Sequence, residues 1–73
     1  MKYAGNMLVQ YVQECLQSHF YYVDYHMSYD QVAHELLTSK MTVKRRLEAL
    51  KDIDRDLYDE YISEKRGRKN GKK

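Results

Sequence analysis

Two clusters of lysine and arginine are the part of this sequence with the clearest chemistry. Five of the residues from Lys40 to Lys51 are basic, against a single acid, Glu48. The last nine residues, KRGRKNGKK, hold six bases and no acid, whereas residues 52–64 hold six acids and one base. Because ammonium and guanidinium groups bind phosphate oxygens, this segregation of charge is typical of a protein that binds a polyanion.

The first basic block can present its side chains together only if it is helical. Val43, Leu47 and Leu50 fall at i, i+4 and i+7, which gives such a helix one apolar face. Ser39 can cap its start. We predict a helix over roughly 40–51 whose opposite face enters the major groove of DNA, as the second helix of a helix-turn-helix does. The predicted DNA contacts from this helix are Lys40, Met41, Thr42, Lys44 and Arg45.

These side chains suit different parts of a DNA duplex. Arg45 can donate two hydrogen bonds to one guanine, which is worth about 1–3 kcal/mol of discrimination against other bases. Lys40 and Met41 can also contact base edges, Met41 through a thymine methyl group. Thr42 and Lys44 suit phosphate contacts at the flanks of the helix.

The same basic run has a plainer interpretation, because a helix that contains KRR often only presents a charged face to water. Arg46 lies nearer the apolar face, where we expect it to pair with an acid. What favours DNA binding is the combination of the basic helix with a capped helix before it and a short connection between the two.

That preceding helix has a clear start. The sequence from Ser28 to Gln31, SYDQ, has the pattern of a capping box, in which the serine oxygen accepts from a first-turn N–H and the glutamine reaches back. We predict a helix over about 29–36, with Val32 and Ala33 facing inward.

Leu37 and Thr38 stand where a helix-turn-helix usually has a tight turn. If the turn requires a positive φ at Leu37, a side chain there costs about 1 kcal/mol. Burial of Leu37 can offset that cost, because burying a leucine contributes roughly 1.5–3 kcal/mol. The alternative is that the first helix of the pair runs one residue longer and the turn is shifted.

Helices are also predicted on both sides of this pair. Between Ala4 and Phe20 the 3-4-3-4 spacing of apolar residues predicts a helix with one apolar stripe. Asp54 can cap a last helix that ends near Lys65. The apolar stripe of the first helix consists of Ala4, Met7, Leu8, Tyr11, Val12, Cys15, Leu16 and Phe20. The inward positions of the last helix are Leu57, Tyr58, Tyr61 and Ile62.

The segment from His19 to Tyr29 holds five of the nine aromatic residues and lacks a helical period. We predict an extended loop that can include a short strand. Packing into the core is the first role expected of its rings. A dimer contact comes second, and stacking on exposed bases comes last, since the segment lacks interleaved basic residues.

The C-terminal residues are basic and nearly free of apolar side chains, so they cannot order themselves by joining a core. We predict a flexible tail over 65–73, which either binds phosphates and lengthens the footprint on DNA or only keeps the chain end soluble. The predicted DNA contacts from the tail are Lys65, Arg66, Arg68 and Lys69.

The fold class follows from the amino-acid composition and from the helical spacing of the apolar and polar residues. The 73 residues include no proline and only three glycines, which argues against an architecture of strands and turns. We predict an all-α fold, a small helix-turn-helix bundle of about four helices. The DNA-binding domain covers residues 1–64 and the flexible basic C-terminal tail covers 65–73.

Other functional classes find little support in the sequence. Cys15 is the only cysteine, and its spacing to the three histidines is not that of metal ligands. We expect no enzyme activity, no metal or other cofactor and no small-molecule ligand. No apolar run approaches the roughly 18 residues that cross a membrane, and no signal peptide is evident. A cytoplasmic, nucleoid-associated protein is expected.

The stretch VAHELLTSKMTVKRRL, residues 32–47, resembles the helix-turn-helix of small bacterial regulators. With the continuation IDRDLYDEY, residues 53–61, it is similar to the stage III sporulation protein D family. The matching positions are Val32, Ala33, Glu35, Ser39, Lys40, Thr42, Val43, Leu47, Ile53, Asp54, Asp56, Leu57 and Glu60.

The resemblance implies a sequence-specific bacterial transcription factor with the second helix of the pair in the major groove and the basic C-terminal segment adding contacts. A role in sporulation, or in a phage or mobile element, would fit it. The positions that correspond to the family's DNA contacts are Lys40, Thr42, Lys44 and Arg45 in the helix and Lys65, Arg66, Arg68 and Lys69 in the tail.

We therefore expect a transcriptional regulator that binds double-stranded DNA, either as a monomer supplemented by its tail or as a homodimer. The alternative is a phage or mobile-element protein-interaction module, an inhibitor or adaptor, that uses the acidic last helix and the aromatic segment. RNA binding through the tail is a third interpretation.

Overall fold

A computed structural model describes the backbone from Lys2 to Gly71 and the side chains from Leu8 to Arg68. Over these residues the chain is 85% helical and has no strands, which confirms the all-α prediction. A five-residue π-helical turn, Phe20–Asp24, follows the first helix directly. The four α-helices are α1 (Lys2–His19), α2 (Tyr29–Glu35), α3 (Lys40–Ile53) and α4 (Arg55–Gly71).

The third helix lies at the centre of the bundle, because α3 packs against α1, α2 and α4. Its predicted apolar face, Val43, Leu47 and Leu50, is fully buried. Burial of each such side chain contributes roughly 1.5–3 kcal/mol, so this face supplies much of the core. The other buried apolar side chains are Cys15, Tyr22, Val32, Ala33 and Tyr61.

The predicted helix starts are confirmed by their hydrogen bonds. Ser28 Oγ accepts from the Gln31 backbone N–H at 3.2 Å, and the Ser28 N–H donates to Gln31 Oε1 at 2.9 Å, which completes the capping box of α2. Ser39 Oγ accepts from the Thr42 N–H at 3.2 Å. Asp54 Oδ1 accepts from the Asp56 N–H at 3.1 Å and so caps α4.

The turn between α2 and α3 has the hydrogen bonds of a Schellman motif. The Thr38 N–H donates to Ala33 O at 2.9 Å, and the Leu37 N–H donates to His34 O at 3.3 Å. This motif requires a left-handed residue, and Leu37 adopts φ 55. The turn does require a positive φ at Leu37, and burial does not offset its cost, since Leu37 is 92% exposed. The alternative of a longer first helix is wrong, because α2 ends at Glu35.

Replacing Leu37 with glycine is expected to raise the free energy of unfolding by about 1 kcal/mol, because glycine adopts positive φ without the Cβ clash. Urea unfolding of the two proteins measures the difference. Leu37→Ala is the matched control, since alanine keeps the Cβ and loses only an exposed side chain. A glycine variant no more stable than the alanine variant would show that the turn is not strained.

Over Phe20–Asp24 the aromatic segment is a helical turn and not an extended loop, which corrects the prediction for these residues, whereas residues 25–28 are irregular. The Tyr25 N–H donates to Phe20 O at 3.2 Å, so the chain continues from α1 as one wide helical turn. The turn brings Tyr22 into the core, where its ring stacks on Tyr29 and meets the edge of Tyr61, with centroids 5.0 and 5.4 Å apart. Aromatic pairs of this kind contribute favourable free energy, which stabilises the compact turn. The expected core role is confirmed for Tyr22 and Tyr29.

The apolar stripe predicted on α1 divides between the core and the surface. Cys15 is buried, with Ser18 beside it on the same side of the helix. By contrast, the stripe members Leu8, Tyr11, Leu16 and Phe20 are exposed. The side chains of Ala4 and Met7 lie outside the described residues. The expectation of a single buried stripe is therefore only partly met, because α1 packs against α3 along one side.

The fourth helix is longer than predicted. The spacing of apolar residues predicts an end near Lys65, which is wrong, because α4 continues to Gly71. The flexibility of the tail stays a prediction, and residues 72 and 73 lie outside the described residues. The longer helix is stabilised by Arg68, whose guanidinium holds this part of α4 against the π-helical turn. Among the described residues, no helix has the length and apolar character needed to cross a membrane.

Candidate nucleic-acid interface

A groove of about 420 Å³ lies on the outer face of α3, where this helix adjoins α2 and α4. It brings together three residues predicted from the α3 sequence and one predicted from the C-terminal segment. The three α3 residues precede Lys65 by 20 to 24 positions in the chain. The groove therefore joins the two basic blocks at one surface. Its lining residues are Tyr29, Met41, Lys44, Arg45, Glu48, Tyr61 and Lys65.

The α3 side of the groove is formed by residues opposite the buried face. Val43 faces the core, and Met41 and Arg45 lie on the other side of the helix because successive residues turn by about 100°. Both are exposed, as is Lys44. Arg45 thus offers its guanidinium to solvent beside an apolar side chain, a pairing that can contact a guanine and a neighbouring thymine methyl.

The two lysines of the groove lie over tyrosine rings. Lys44 Nζ is 5.2 Å from the centroid of the Tyr29 ring. Lys65 Nζ is 5.9 Å from the centroid of the Tyr61 ring. Cation–π attraction at exposed sites is worth about 0.5–1 kcal/mol, enough to favour these positions while leaving the ammonium groups free to bind an anion.

The floor of the groove is a neutral tyrosine pair. The hydroxyls of Tyr29 and Tyr61 lie 2.8 Å apart. Burial, followed by the hydrogen bond to Tyr61, raises the pKa of Tyr29 to about 12. Burial also raises the pKa of Tyr61. Both phenols therefore stay uncharged near neutral pH, and Glu48 is the only acid that lines the groove against three bases.

Two predicted residues lie at the start of α3, outside the lining of the groove. Lys40 is exposed at the first position of the helix. Thr42 is half-buried, and its hydroxyl lies 2.9 Å from Ser39 Oγ. Thr42 thus takes part in the cap, and Lys40 extends the positive surface beyond it.

Arg46 forms an ion pair within the protein, as expected for a residue near the apolar face. Its Nη2 lies 3.1 Å from Glu14 Oε1, and both side chains are at least two-thirds buried. The pair joins α1 to α3 and takes Arg46 out of the candidate interface.

Arg68 is the residue whose position departs most from expectation. Its Nη2 donates to Tyr22 O at 2.6 Å and its Nη1 to Met27 O at 2.8 Å. Its Nε donates to Glu64 Oε2 at 2.8 Å, and the guanidinium lies 3.8 Å from the Tyr22 ring centroid. These bonds occupy all three guanidinium nitrogens inside the protein, so Arg68 holds α4 in place and does not belong to the candidate interface.

Glu64 completes the Arg68 cluster. His26 Nδ1 lies 3.1 Å from Glu64 Oε2. Hydrogen bonding from His26, reinforced by the bond and charge of Arg68, lowers the pKa of Glu64. The carboxylate therefore stays ionised and keeps Arg68 aligned with the two carbonyls.

The other two predicted residues of the C-terminal segment are Arg66 and Lys69. Arg66 is exposed but lines a different groove, together with Arg55 and Asp59. The side chain of Lys69 lies outside the described residues. Among the predicted tail contacts whose side chains are described, only Lys65 lines the α3 groove.

Tyr29, Tyr61 and Glu48 were not among the residues predicted for the site. Glu48 could have been found, since its position on the helical wheel is close to that of Met41. The tyrosine pair could not, because it joins residues 32 positions apart and no local pattern indicates it.

No protein-family model matches this chain, and neither a curated protein nor a solved structure matches it. The similarity to the stage III sporulation protein D family therefore stays a prediction based on the residues quoted above. Within the described part of the chain, no group of three or more His, Cys, Asp or Glu side chains is arranged to hold a metal ion.

Proposed function

We propose that this protein binds double-stranded DNA through α2 and α3, with α3 in the major groove, and regulates transcription by doing so. The observation that carries the proposal is the groove in which Met41, Lys44 and Arg45 of α3 lie beside Lys65 of α4. A capped pair of helices joined by a short turn supports it, because that unit presents the second helix to DNA. Association with the nucleoid would follow.

The side chains of the groove divide between base and phosphate contacts. Arg45 and Met41 lie on the outermost face of α3 and suit base edges, whereas Lys44 and Lys65 at the walls suit the phosphates. Lys40, at the start of α3, adds a further positive charge where the helix would enter the groove.

Glu48 gives the interface a negative group among three positive ones. A carboxylate there repels phosphate, so it weakens binding to DNA of arbitrary sequence. The same carboxylate can accept a hydrogen bond from the N4 amino group of cytosine. Glu48 is therefore expected to favour sites with a cytosine next to the base that Arg45 contacts.

Replacing Lys65 with alanine is expected to weaken duplex binding on every sequence and to flatten its salt dependence. Each phosphate contact contributes about 0.9 to the slope of log K against log salt, so the slope should fall by about that amount. Fluorescence anisotropy on a labelled duplex, at salt from about 50 to about 200 mM, measures both effects.

Lys51→Ala is the matched control for Lys65→Ala. Lys51 is also exposed and also lies over a tyrosine ring, with its Nζ 6.0 Å from the Tyr58 centroid, but it does not line the groove. Equal flattening in both variants would contradict the assignment of the groove. A wild-type protein without duplex affinity even at low salt would refute DNA binding itself and favour the protein-interaction module.

A further inference from the structure

One side of α1 is apolar and exposed, next to the side that packs on α3. We call the residues Val9, Val12, Leu16, Phe20 and Tyr25 the α1 strip. The first four fall within about 80° of one another around the helix. Tyr25 continues the strip, because its ring lies 4.8 Å from the Phe20 ring.

Four of the five side chains of the α1 strip are exposed. Val9 is 58% exposed and Tyr25 is 59% exposed, with Leu16 and Phe20 at about two-fifths. Val12 is half-buried and connects them. A contiguous apolar surface of this kind on a small domain marks an interaction site.

The charges around the strip indicate what kind of partner covers it. Its neighbours on α1, Gln10, Gln13 and Gln17, are neutral and exposed. The acid of this helix segment, Glu14, is already paired with Arg46. Asp24, directly before Tyr25, is exposed and carries a charge at one end of the strip. Along α1 the flanking glutamines are uncharged, so a second copy of the strip presents the same neutral, apolar surface and complements it.

We propose that two copies of this protein associate through their α1 strips. In a twofold arrangement each strip meets the same strip of the other copy, so every contact is made twice. An antiparallel pair would centre between residues 14 and 15, which sets Val9 of one copy near Phe20 of the other and Leu16 near Val12. This pairing depends on the α1 surface and not on the proposed function.

The area of the strip alone is about half of what each partner of a standard dimer interface buries. At their exposed fractions, aromatic and aliphatic side chains of this size leave on the order of 400 Å² of surface per copy. The flanking glutamines extend the patch toward the roughly 800 Å² per partner of a standard protein interface. The strip therefore suits a dimer of modest affinity.

Sedimentation velocity over a concentration series tests the proposal. The wild-type protein is expected to pass from monomer to dimer on the order of 10 µM. A double variant, Leu16→Glu with Phe20→Ser, is expected to stay monomeric with unchanged helicity. Leu37→Asn is the control, since it removes an exposed leucine elsewhere and should dimerise like wild type. A wild-type protein that stays monomeric would overturn the proposal and assign the strip to a different protein.

A charge-complementation experiment shows whether the strips contact each other. One variant carries V9E and F20E, the other V9K and F20K, all at exposed positions. Each variant alone is expected to be monomeric because like charges meet. Their mixture is expected to form a heterodimer that dissociates at high salt. A mixture that stays monomeric, while the wild type dimerises, would place the interface elsewhere and overturn the proposal.

Discussion

Replacing Arg68 with alanine is expected to lower the free energy of unfolding by about 3 kcal/mol. The change removes the donors to two backbone carbonyls, Tyr22 O and Met27 O. Each carbonyl left without a donor costs about 1–3 kcal/mol, and the lost contact with the Tyr22 ring adds to this. The side chain is 27% exposed, so water can compensate in part. For a domain of this size the expected loss is a large share of total stability.

Urea unfolding followed by helical circular dichroism measures the effect, with two matched variants. Arg66→Ala removes the same side chain two positions earlier on α4, where it is exposed, and should change stability by less than about 0.5 kcal/mol. Arg68→Lys keeps the charge but loses the planar fork, so it should destabilise nearly as much as alanine. Full stability in the lysine variant would mean that charge alone is sufficient and that the carbonyl bonds are dispensable.

Replacing Arg45 with alanine is expected to abolish most of the sequence preference in DNA binding. A guanine contact from two guanidinium nitrogens is worth about 1–3 kcal/mol, so the ratio of affinities for the preferred and a scrambled duplex should fall by roughly 5- to 150-fold. Selection of bound duplexes from a random pool supplies the preferred site. Competition binding with wild type and variant then measures the ratio.

Arg55→Ala is the control for Arg45→Ala. Arg55 is exposed at the start of α4, with its Nε 3.7 Å from Asp59 Oδ1, and lies outside the α3 groove. Its loss should leave the affinity ratio unchanged. If wild type and Arg45→Ala bound every duplex alike, the assignment of α3 as the element that recognises bases would be wrong, even if binding itself persisted.

The parts of the fold that could be predicted from the sequence are those set by neighbours in the chain. The caps at Ser28, Ser39 and Asp54 depend on residues two or three positions away, and the buried face of α3 depends on helical spacing. The positive φ of Leu37 is also a local property, because it follows from the turn that joins α2 to α3.

What could not be predicted depends on contacts between distant residues. Arg68 looked like a solvated tail residue because no local pattern indicates its bond to Tyr22 O, 46 positions earlier. That bond and the aromatic packing together stabilise the helical turn Phe20–Asp24 and the C-terminal part of α4, up to Gly71. The α3 part of the candidate site could be predicted from the sequence. Which of the C-terminal bases joins it depends on how α4 packs, and this base is Lys65.

The Arg68 bonds also have a kinetic consequence. They close a loop that spans most of the chain, and closing a long loop is slow compared with forming the short α2–α3 turn. They are therefore expected to form after the folding transition state. Losing them should leave the folding rate nearly unchanged and speed unfolding, so the native protein's lifetime would depend on a single arginine near its C-terminal end.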